Sequence, residues 1–392
     1  MWIAEGFVSQ ALIREGEETL EDVGEQYLEE LVNRCIVQVS QRDHTGIGIK
    51  TFRIHDLMRD MCVLMAREEN FLGISEHYRQ NIVTRRIAVH PQISPEYARL
   101  LLRVLNFGGL NVEYVPKEIG DLIHLRHLGL RNAKVIREAA LPTSIGKLRS
   151  LHTLDVQGIQ SLILPNVVWK LEDLRHLLID LPNVLEQCRM ETLRNLENLR
   201  WAHCENLIRK NAMQNLTNLR NLAVNFKRSK EISAVMKSPI FSTGRLRSLN
   251  IRGKQSSFPN LEPLSCCESL TKLELHGIIP EDPQSLLHNL EYLPASLTKL
   301  ILGNSELKQD PMSFLEKRPA LRFLYLEENS YKETEMLCTT QGFPQLEILK
   351  LESLGLEEWK IEEGFAFRKA AGIEDDPRRD KICDSPPRNE SH

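Results

Sequence analysis

Leucines recur along most of the chain with a spacing that no single helix or strand explains. From about residue 100 the pattern L-x-x-L-x-L, with conservative replacements, occurs eleven times over 244 residues, or 244/10 = 24.4 residues per step. The first leucines of these motifs are Leu102, Leu125, Leu151, Leu174, Leu199, Leu219, Leu246, Leu270, Leu297, Leu321 and Leu346. One such motif arises by chance, but eleven in succession indicate a repeat array.

Each motif predicts a short strand followed by a turn. Leu128 and Leu130 point to one side of such a strand and their neighbours to the other. One repeat cannot bury its leucines alone, whereas stacked repeats pair their strands in parallel and bury each leucine for about 1.5–3 kcal/mol. Variants of Pro-x-x-Ile-Gly-x-Leu at residues 116–122, 142–148 and 165–171 predict helical turns on the convex side. The sequence therefore predicts an α/β leucine-rich-repeat solenoid of about eleven repeats with a parallel concave sheet.

The side chains that alternate with the buried leucines form the predicted concave face. They are polar and varied, which suits recognition of a protein ligand, and exposed aromatic rings often anchor such interfaces. The candidate partner-binding residues are Trp201, His203, Phe323, Tyr325, Lys272 and Arg131. The alternatives for the aromatic residues are that a rim loop covers them or that the local register is off by one.

An arginine follows the first leucine in seven of the eleven motifs. These residues are Arg103, Arg126, Arg175, Arg200, Arg220, Arg247 and Arg322. Such a row can attract nucleic acid, dock an acidic domain, or simply solvate the sheet margin and bond exposed carbonyl groups. The overall isoelectric point near 6.3 argues against nucleic acid.

Residues 1–70 contain no repeat and predict a helix, a hairpin and a second helix, which is the order of a winged-helix domain. A capping-box pattern at residues 19–22 starts the first helix. The predicted strands span residues 35–40 and 50–54, with a glycine-bearing turn between them. The apolar side of the second helix contains Leu57, Met61, Leu64 and Met65.

Four segments follow from these patterns. We expect a winged-helix domain at 1–70, a linker with the cap of the repeats at 71–99, and the repeats at 100–363. Residues 364–392 carry 12 charged groups in 29 positions and no leucine, so we expect a polar, disordered tail.

Charge is distributed unevenly along the chain. Residues 1–70 carry 7 basic and 14 acidic groups, net −7, whereas residues 79–152 carry 12 and 5, net +7. The chain as a whole has a net charge of only −4. No stretch of 18 apolar residues and no secretory signal occur, and the eight cysteines form no C-x-x-C, so we expect a cytoplasmic chain with reduced thiols and no membrane span.

Several ordered landmarks resemble those of plant intracellular nucleotide-binding leucine-rich-repeat receptors, the coiled-coil class of disease resistance proteins. Residues 2–7 (Trp-Ile-Ala-Glu-Gly-Phe) resemble the start of the family's winged helix. Residues 53–60 (Arg-Ile-His-Asp-Leu-Met-Arg-Asp) resemble its Met-His-Asp segment, with Ile54 in place of methionine. Residues 85–90, the Leu-Arg-x-Leu repeats and residues 357–359 also match. The resemblance covers roughly residues 1–363 and identifies the end of an NB-ARC module followed by repeats.

The resemblance implies roles for specific residues. In the family, the histidine that matches His55 contacts the phosphates of bound ADP and holds the inactive state. The start of the repeats folds back on the nucleotide-binding module, so Arg103, Arg126 and Arg175 become candidates for an intramolecular clamp. The printed sequence contains no G-x-x-x-x-G-K-[ST] loop, so we expect this chain to hold no cofactor, whereas full-length members bind ADP or ATP.

The sequence therefore predicts a non-enzymatic part of an immune receptor, in which the repeats sense a pathogen or host protein and restrain a nucleotide switch. The expected partners are protein ligands on the concave face and NB-ARC contacts within the molecule or in trans. The alternative is a stand-alone repeat adaptor. No nucleophile–base spacing suggests an enzyme, and histidines scattered over successive repeats do not predict a metal site.

Overall fold

The structure is a computed structural model that describes most of the repeat region and part of the preceding segment. The described residues are 3, 7–8, 20–42, 49–68, 72–74, 86–88, 102–112, 114–135, 140–159, 162, 164–179, 190–281, 289–339, 342–352 and 354–361. They belong to two compact units, one comprising 1–202 with 209–218 and the other 203–208 with 219–392. None of the described helices is long and apolar enough to cross a membrane. The predicted tail at 364–392 lies outside the described residues.

The N-terminal segment has the predicted winged-helix order. Its elements are α1 (Leu20–Asn33), β1 (Val37–Arg42), β2 (Ile49–Ile54) and α2 (Asp56–Glu68). β1 and β2 pair antiparallel, with Val37 opposite Ile54. Val23 and Val37 are buried, at 4% exposure each, so α1 and β1 contribute to a small core. The helix, hairpin and helix predicted from the sequence are confirmed; the hairpin turn lies outside the described residues.

The apolar side of α2 is exposed within this segment. Met61, Leu64 and Met65 expose 48%, 59% and 55% of their surface, and Phe52 and Ile54 on β2 expose 42% and 38%. Scattered apolar residues on a surface are ordinary, but these five lie within two adjacent elements.

The first unit contains a parallel ladder of short strands. They are β3 (Leu72–Ile74), β4 (Arg86–Ala88), β5 (Val104–Asn106), β6 (Asn111–Val112), β7 (His127–Gly129), β8 (Lys134–Val135), β9 (Thr153–Asp155), β10 (His176–Leu178) and β11 (Asn198–His203). The order along the main sheet is β3, β4, β5, β7, β9, β10, β11, while β6 pairs with β8 outside it. The first two strands extend the ladder to positions before residue 100.

The second unit continues with the same kind of element. Its helices are α3 (Cys204–Ile208), α4 (Ser229–Met236) and α5 (Met312–Leu315). Its strands are β12 (Asn221–Phe226), β13 (Ser248–Ser257), β14 (Lys272–Ile278), β15 (Lys299–Gly303), β16 (Phe323–Leu326), β17 (Glu335–Cys338), β18 (Ile348–Leu351) and β19 (Glu358–Ile361). The main sheet has the order β12, β13, β14, β15, β16, β18, and β17 pairs in parallel with β19. The predicted parallel-sheet repeat fold is confirmed in both units.

The leucine motif predicts where the strands begin. In ten of the eleven motifs the strand starts two residues after the first leucine, as at Leu125 and His127. The leucines form the core: Leu125, Leu128 and Leu130 are each 0% exposed. Burial of this ladder supplies the main stabilisation of the repeats.

The motif at Leu199 is the exception, and its predicted register is wrong. Leu199 itself pairs with Leu177, so it lies in the position that we predicted for Ala202. Leu199 and Ala202 are both buried although they are three residues apart. Trp201 between them has φ = 59°, and this left-handed residue interrupts the alternation of the strand. The sequence pattern does not show such a local change in backbone conformation.

The predicted helical turns opposite the sheet are short 3₁₀ helices at Lys117–Asp121, Thr143–Lys147 and Val168–Lys170. Pro116 precedes the first in an extended conformation, and its carbonyl accepts the N–H of Ile119. Gly120 is required by close stacking, because a Cβ there would lie 2.4 Å from the carbonyl oxygen of Ser144 in the next repeat.

Candidate functional site: the face of the sheet opposite the buried leucines

The main sheet of the second unit presents side chains that alternate with its buried leucines, and we call this its concave face. In-register pairing arranges these side chains in rows that cross the strands. The row near the strand starts contains Asn221, Ser248, Lys272, Lys299, Phe323 and Ile348. The next row contains Ala223, Asn250, Glu274, Ile301, Tyr325 and Lys350. Cations, anions, amides and rings are therefore neighbours on one surface.

Lys299 lies in the middle of this face and is only 6% exposed. Its Nζ is 5.1 Å from the centroid of the Phe323 ring and 3.8 Å from Oε1 of Glu274. A buried cation is costly unless other groups compensate its charge, and a ring face and a carboxylate do so here. Asn250 donates a hydrogen bond from Nδ2 to Oε2 of Glu274, which holds the carboxylate in place.

Phe323 is not the exposed aromatic residue that strand alternation predicts. Its ring is 2% exposed, because Lys299 lies over it and Tyr325 packs against it edge to face with ring centroids 6.5 Å apart. Alternation predicts the face to which a side chain points but not how far its neighbours cover it. Tyr325 is half-buried and Lys272 is exposed, so both remain accessible at this surface.

His276 and Glu327 meet across the strand that separates them. Nδ1 of His276 lies 3.2 Å from Oε2 of Glu327. A Cβ on Gly303, which lies between them, would come within 2.6 Å of that nitrogen and 2.8 Å of that oxygen. Glycine at this position therefore leaves the space in which the two side chains interact.

Arg131 in the first unit lies just after β7, on the predicted face. Its Nε donates to Oδ2 of Asp155 at 2.9 Å, and its guanidinium group also donates to Oε1 of Gln157. His127 begins the same strand, and burial lowers its pKa to about 3, so its ring is neutral at physiological pH. Among the described residues, no group of three His, Cys, Asp or Glu side chains is placed to hold a metal ion.

Trp201 lies at the interruption in the alternation of β11, and His203 follows it at the end of the strand. Trp201 is half-buried at its left-handed backbone position. His203 is also half-buried, and burial together with the nearby Lys227 lowers the pKa of its ring despite the opposing influence of Glu231. The sequence pattern located both residues on this strand but not the backbone that orients them.

The clamp candidates lie in one row along the margin of the first sheet. The carbonyl oxygen of Arg103 accepts the N–H of Arg126 at 2.7 Å, and that of Arg126 accepts the N–H of His152 at 2.8 Å. Arg175 follows His152 in this row and approaches Glu197, with Nη1 and Oε1 3.9 Å apart. Burial lowers the pKa of His152, and the charges of Arg175 and Arg126 lower it further. The structure thus brings three cations to one edge.

His55 lies between β2 and α2 and is exposed. Its N–H donates to the carbonyl oxygen of Ile36 at 3.4 Å, and its own carbonyl accepts the N–H of Arg59 at 2.8 Å, which starts the helix. The imidazole is therefore accessible beside the exposed side chain of Ile54.

Strand alternation also predicts a position on the concave face for Lys299, Glu274, Asn250, His276 and Glu327, although none of them is among the candidate partner-binding residues. The available signal was positional: Lys272 and Lys299 both lie two residues after the first leucine of successive motifs, so in-register pairing makes two cations neighbours. Their burial and mutual contacts depend on neighbouring repeats and required the structure.

Comparison with known proteins agrees with the fold. A leucine-rich-repeat region matches residues 82–365, and a winged helix domain of disease resistance proteins matches residues 1–62. Similar proteins from Arabidopsis thaliana include probable disease resistance protein RXW24L, 31% identical over 94% of this chain and 44% of its own length. Probable disease resistance protein RF9 is 30% identical over 92% of this chain and 38% of its own length.

A winged helix followed by stacked leucine-rich repeats defines the class of the molecule. The chain spans less than half the length of these relatives. It belongs to the family of plant disease resistance proteins that carry this winged helix and a leucine-rich-repeat region.

Proposed function

We propose that this chain is the recognition and regulatory part of an intracellular plant immune receptor. In this proposal the concave face binds a pathogen or host protein, and the N-terminal part of the chain contacts a nucleotide-binding module. The function is non-enzymatic and cytoplasmic. The observation that carries the recognition role is the concave face of the second unit, where Lys272, Tyr325 and several carboxylates lie side by side on paired strands.

The exposed apolar side chains of β2 and α2 support the contact with a nucleotide-binding module. Exposed apolar surface is costly in water. The side chains that form such a surface here are Phe52, Ile54, Met61, Leu64 and Met65. His55 is exposed at the junction between the same two elements. A module that covers this surface would bring its bound nucleotide within reach of the histidine, in agreement with the role that the family resemblance implies. A stand-alone adaptor gives no reason for this exposed winged-helix surface.

The charge distribution supports a regulatory clamp within the first unit. Glu25 and Glu29 are exposed on α1 of the acidic segment, whereas Arg103, Arg126 and Arg175 share the margin of the basic repeats. A single exposed ion pair contributes little, but fields of opposite sign can set the orientation of two segments. In this proposal the arginine row attracts the acidic segment and keeps it near the first repeats.

Hydrogen exchange of the full chain tests the clamp. If the attraction protects α1, raising the ionic strength from about 0.05 M to about 0.5 M should speed exchange of its amides, because salt screens exposed charges. In the triple variant Arg103→Glu, Arg126→Glu, Arg175→Glu, the amides of α1 should exchange fast already at low salt. Raising the salt concentration should then change their exchange rate little. Arg149→Glu, an exposed arginine paired at 4.0 Å with Glu172, is the matched control. If neither salt nor the triple substitution changes the exchange rate of the α1 amides, the clamp is rejected.

A further inference from the structure

On the concave face of the second unit, opposite charges lie at the two ends of a line that runs diagonally across the strands. Lys272 on β14 marks one end, and Glu352, just after β18, marks the other. Both side chains are exposed. Among the residues that the structure describes, neither makes an ion pair. Other charged groups on this face, such as Lys299 and Glu327, have partners within it.

Ile301 and Tyr325 occupy the middle of the diagonal, between Glu274 and Lys350 of the same row. Lys272 lies in the row with Lys299, Phe323 and Ile348, and Glu352 lies four residues beyond Ile348. Halfway along, two residues into β15 and β16, Ile301 pairs with Tyr325. Ile301 is 6% exposed and Tyr325 is half-buried, so the ring forms the accessible part of this centre.

The length of the diagonal follows from sheet geometry. Three strand spacings of about 4.8 Å and four residues at about 3.3 Å each give a diagonal of roughly 20 Å. Extended peptide covers that distance in about six residues. A segment with a carboxylate at one end, an apolar residue in the middle and a cation at the other end would complement all three features.

Contacts beneath this surface support its accessible side chains. Lys299 is held between Glu274 and the Phe323 ring, and the Phe323 ring in turn supports Tyr325. This packing restricts the accessible tyrosine ring, and a side chain that is restricted before binding loses less entropy on binding. An incoming carboxylate would also offset the repulsion between Lys272 and Lys299, its in-register neighbour on β15.

We infer that the surface formed by Lys272, Tyr325 and Glu352 binds an extended protein segment that carries an acidic and a basic residue about six positions apart with an apolar residue between them. This inference rests on the proposed recognition function and assigns the chemistry of the ligand to a particular part of the repeats.

Selection of random linear 12-residue peptides on the immobilised full chain tests the inference. The enriched peptides should share the acidic, apolar and basic pattern, and their affinity should fall about tenfold or more for Lys272→Glu and for Glu352→Lys. Lys317→Glu changes an exposed lysine that lies outside the sheet and should leave affinity unchanged. Changing the acidic residue of a selected peptide to lysine should restore its binding to Lys272→Glu. Circular dichroism and thermal unfolding of each variant confirm that it is folded.

Each outcome decides the inference. Failure to enrich any peptide, or enrichment of peptides that bind Lys272→Glu and Glu352→Lys as tightly as the original chain, would overturn it. In the second case the chain still recognises peptides elsewhere, so the proposed recognition function survives although this surface does not carry it. Loss of binding in Tyr325→Ala together with restoration by the charge-exchanged peptide would establish both the apolar and the ionic part of the contact.

Discussion

At the scale of single residues, the sequence pattern predicts the face to which a side chain points better than it predicts how deeply that side chain is buried. Phe323 points to the predicted face, yet Lys299 and Tyr325 cover it. Lys272 lies on the same row and is exposed. The difference arises because coverage depends on specific side-chain contacts, including one from Lys299 in the preceding repeat, and alternation within one strand does not describe these contacts.

Gly158 gives a residue-scale prediction. Its φ of +75° is in the left-handed region, and a Cβ there would overlap Oδ1 of Asn132 in the preceding repeat. Gly158→Ala should therefore lower the free energy of unfolding by about 2–3 kcal/mol, from backbone strain and the clash together.

Chemical denaturation measures this effect, and Gly109 supplies the control. Gly109 has a similar φ of +74°, but a Cβ there would meet nothing within 4 Å. Gly109→Ala should cost only about 1 kcal/mol, the strain alone. Equal losses for the two variants would show that contact with Asn132 is unimportant.

At the scale of elements, periodicity located the strands because burial of leucine depends on position within the repeat and little else. The motif at Leu199 departs from this rule through the left-handed backbone at Trp201. A tryptophan rarely adopts that conformation, so nothing in the sequence signals it. The winged-helix elements were also predicted, whereas the exposure of the apolar side of α2 was not, because amphipathic spacing does not reveal what covers a face.

The 3₁₀ turns opposite the sheet give an element-scale prediction. Ile145 is 0% exposed within the turn Thr143–Lys147, so Ile145→Ala should cost about 2–5 kcal/mol by removing buried surface and leaving a cavity. Ile123, which follows the preceding turn, is 55% exposed, and Ile123→Ala should cost less than about 0.5 kcal/mol. Thermal or denaturant unfolding of the two variants compares them, and similar losses would contradict the assignment of Ile145 to the core.

At the scale of the whole molecule, the overall net charge says little about function. The distribution of charge along the chain is more informative. The small net charge of −4 combines an acidic segment and a basic one. The structure adds that three of the basic groups share a single sheet margin, a juxtaposition that follows from repeat stacking.

Nucleotide binding gives a prediction at this scale. The printed sequence lacks a G-x-x-x-x-G-K-[ST] loop, and His55 is exposed on the surface of the winged helix. One imidazole cannot replace the backbone amides and lysine that hold phosphates. The purified chain should therefore release no ADP on denaturation, as measured by chromatography of the extract; stoichiometric ADP would contradict this expectation.

The parallel ladder also has a consequence for biosynthesis. Within each unit of the structure, main-sheet strands pair with neighbouring strands that begin between 14 and 27 residues away along the chain. Contacts of such short sequence separation favour rapid local folding. A repeat that has left the ribosome can pack against the preceding repeat before the C-terminus is synthesised. The parallel sheet can therefore grow by one strand at a time during translation.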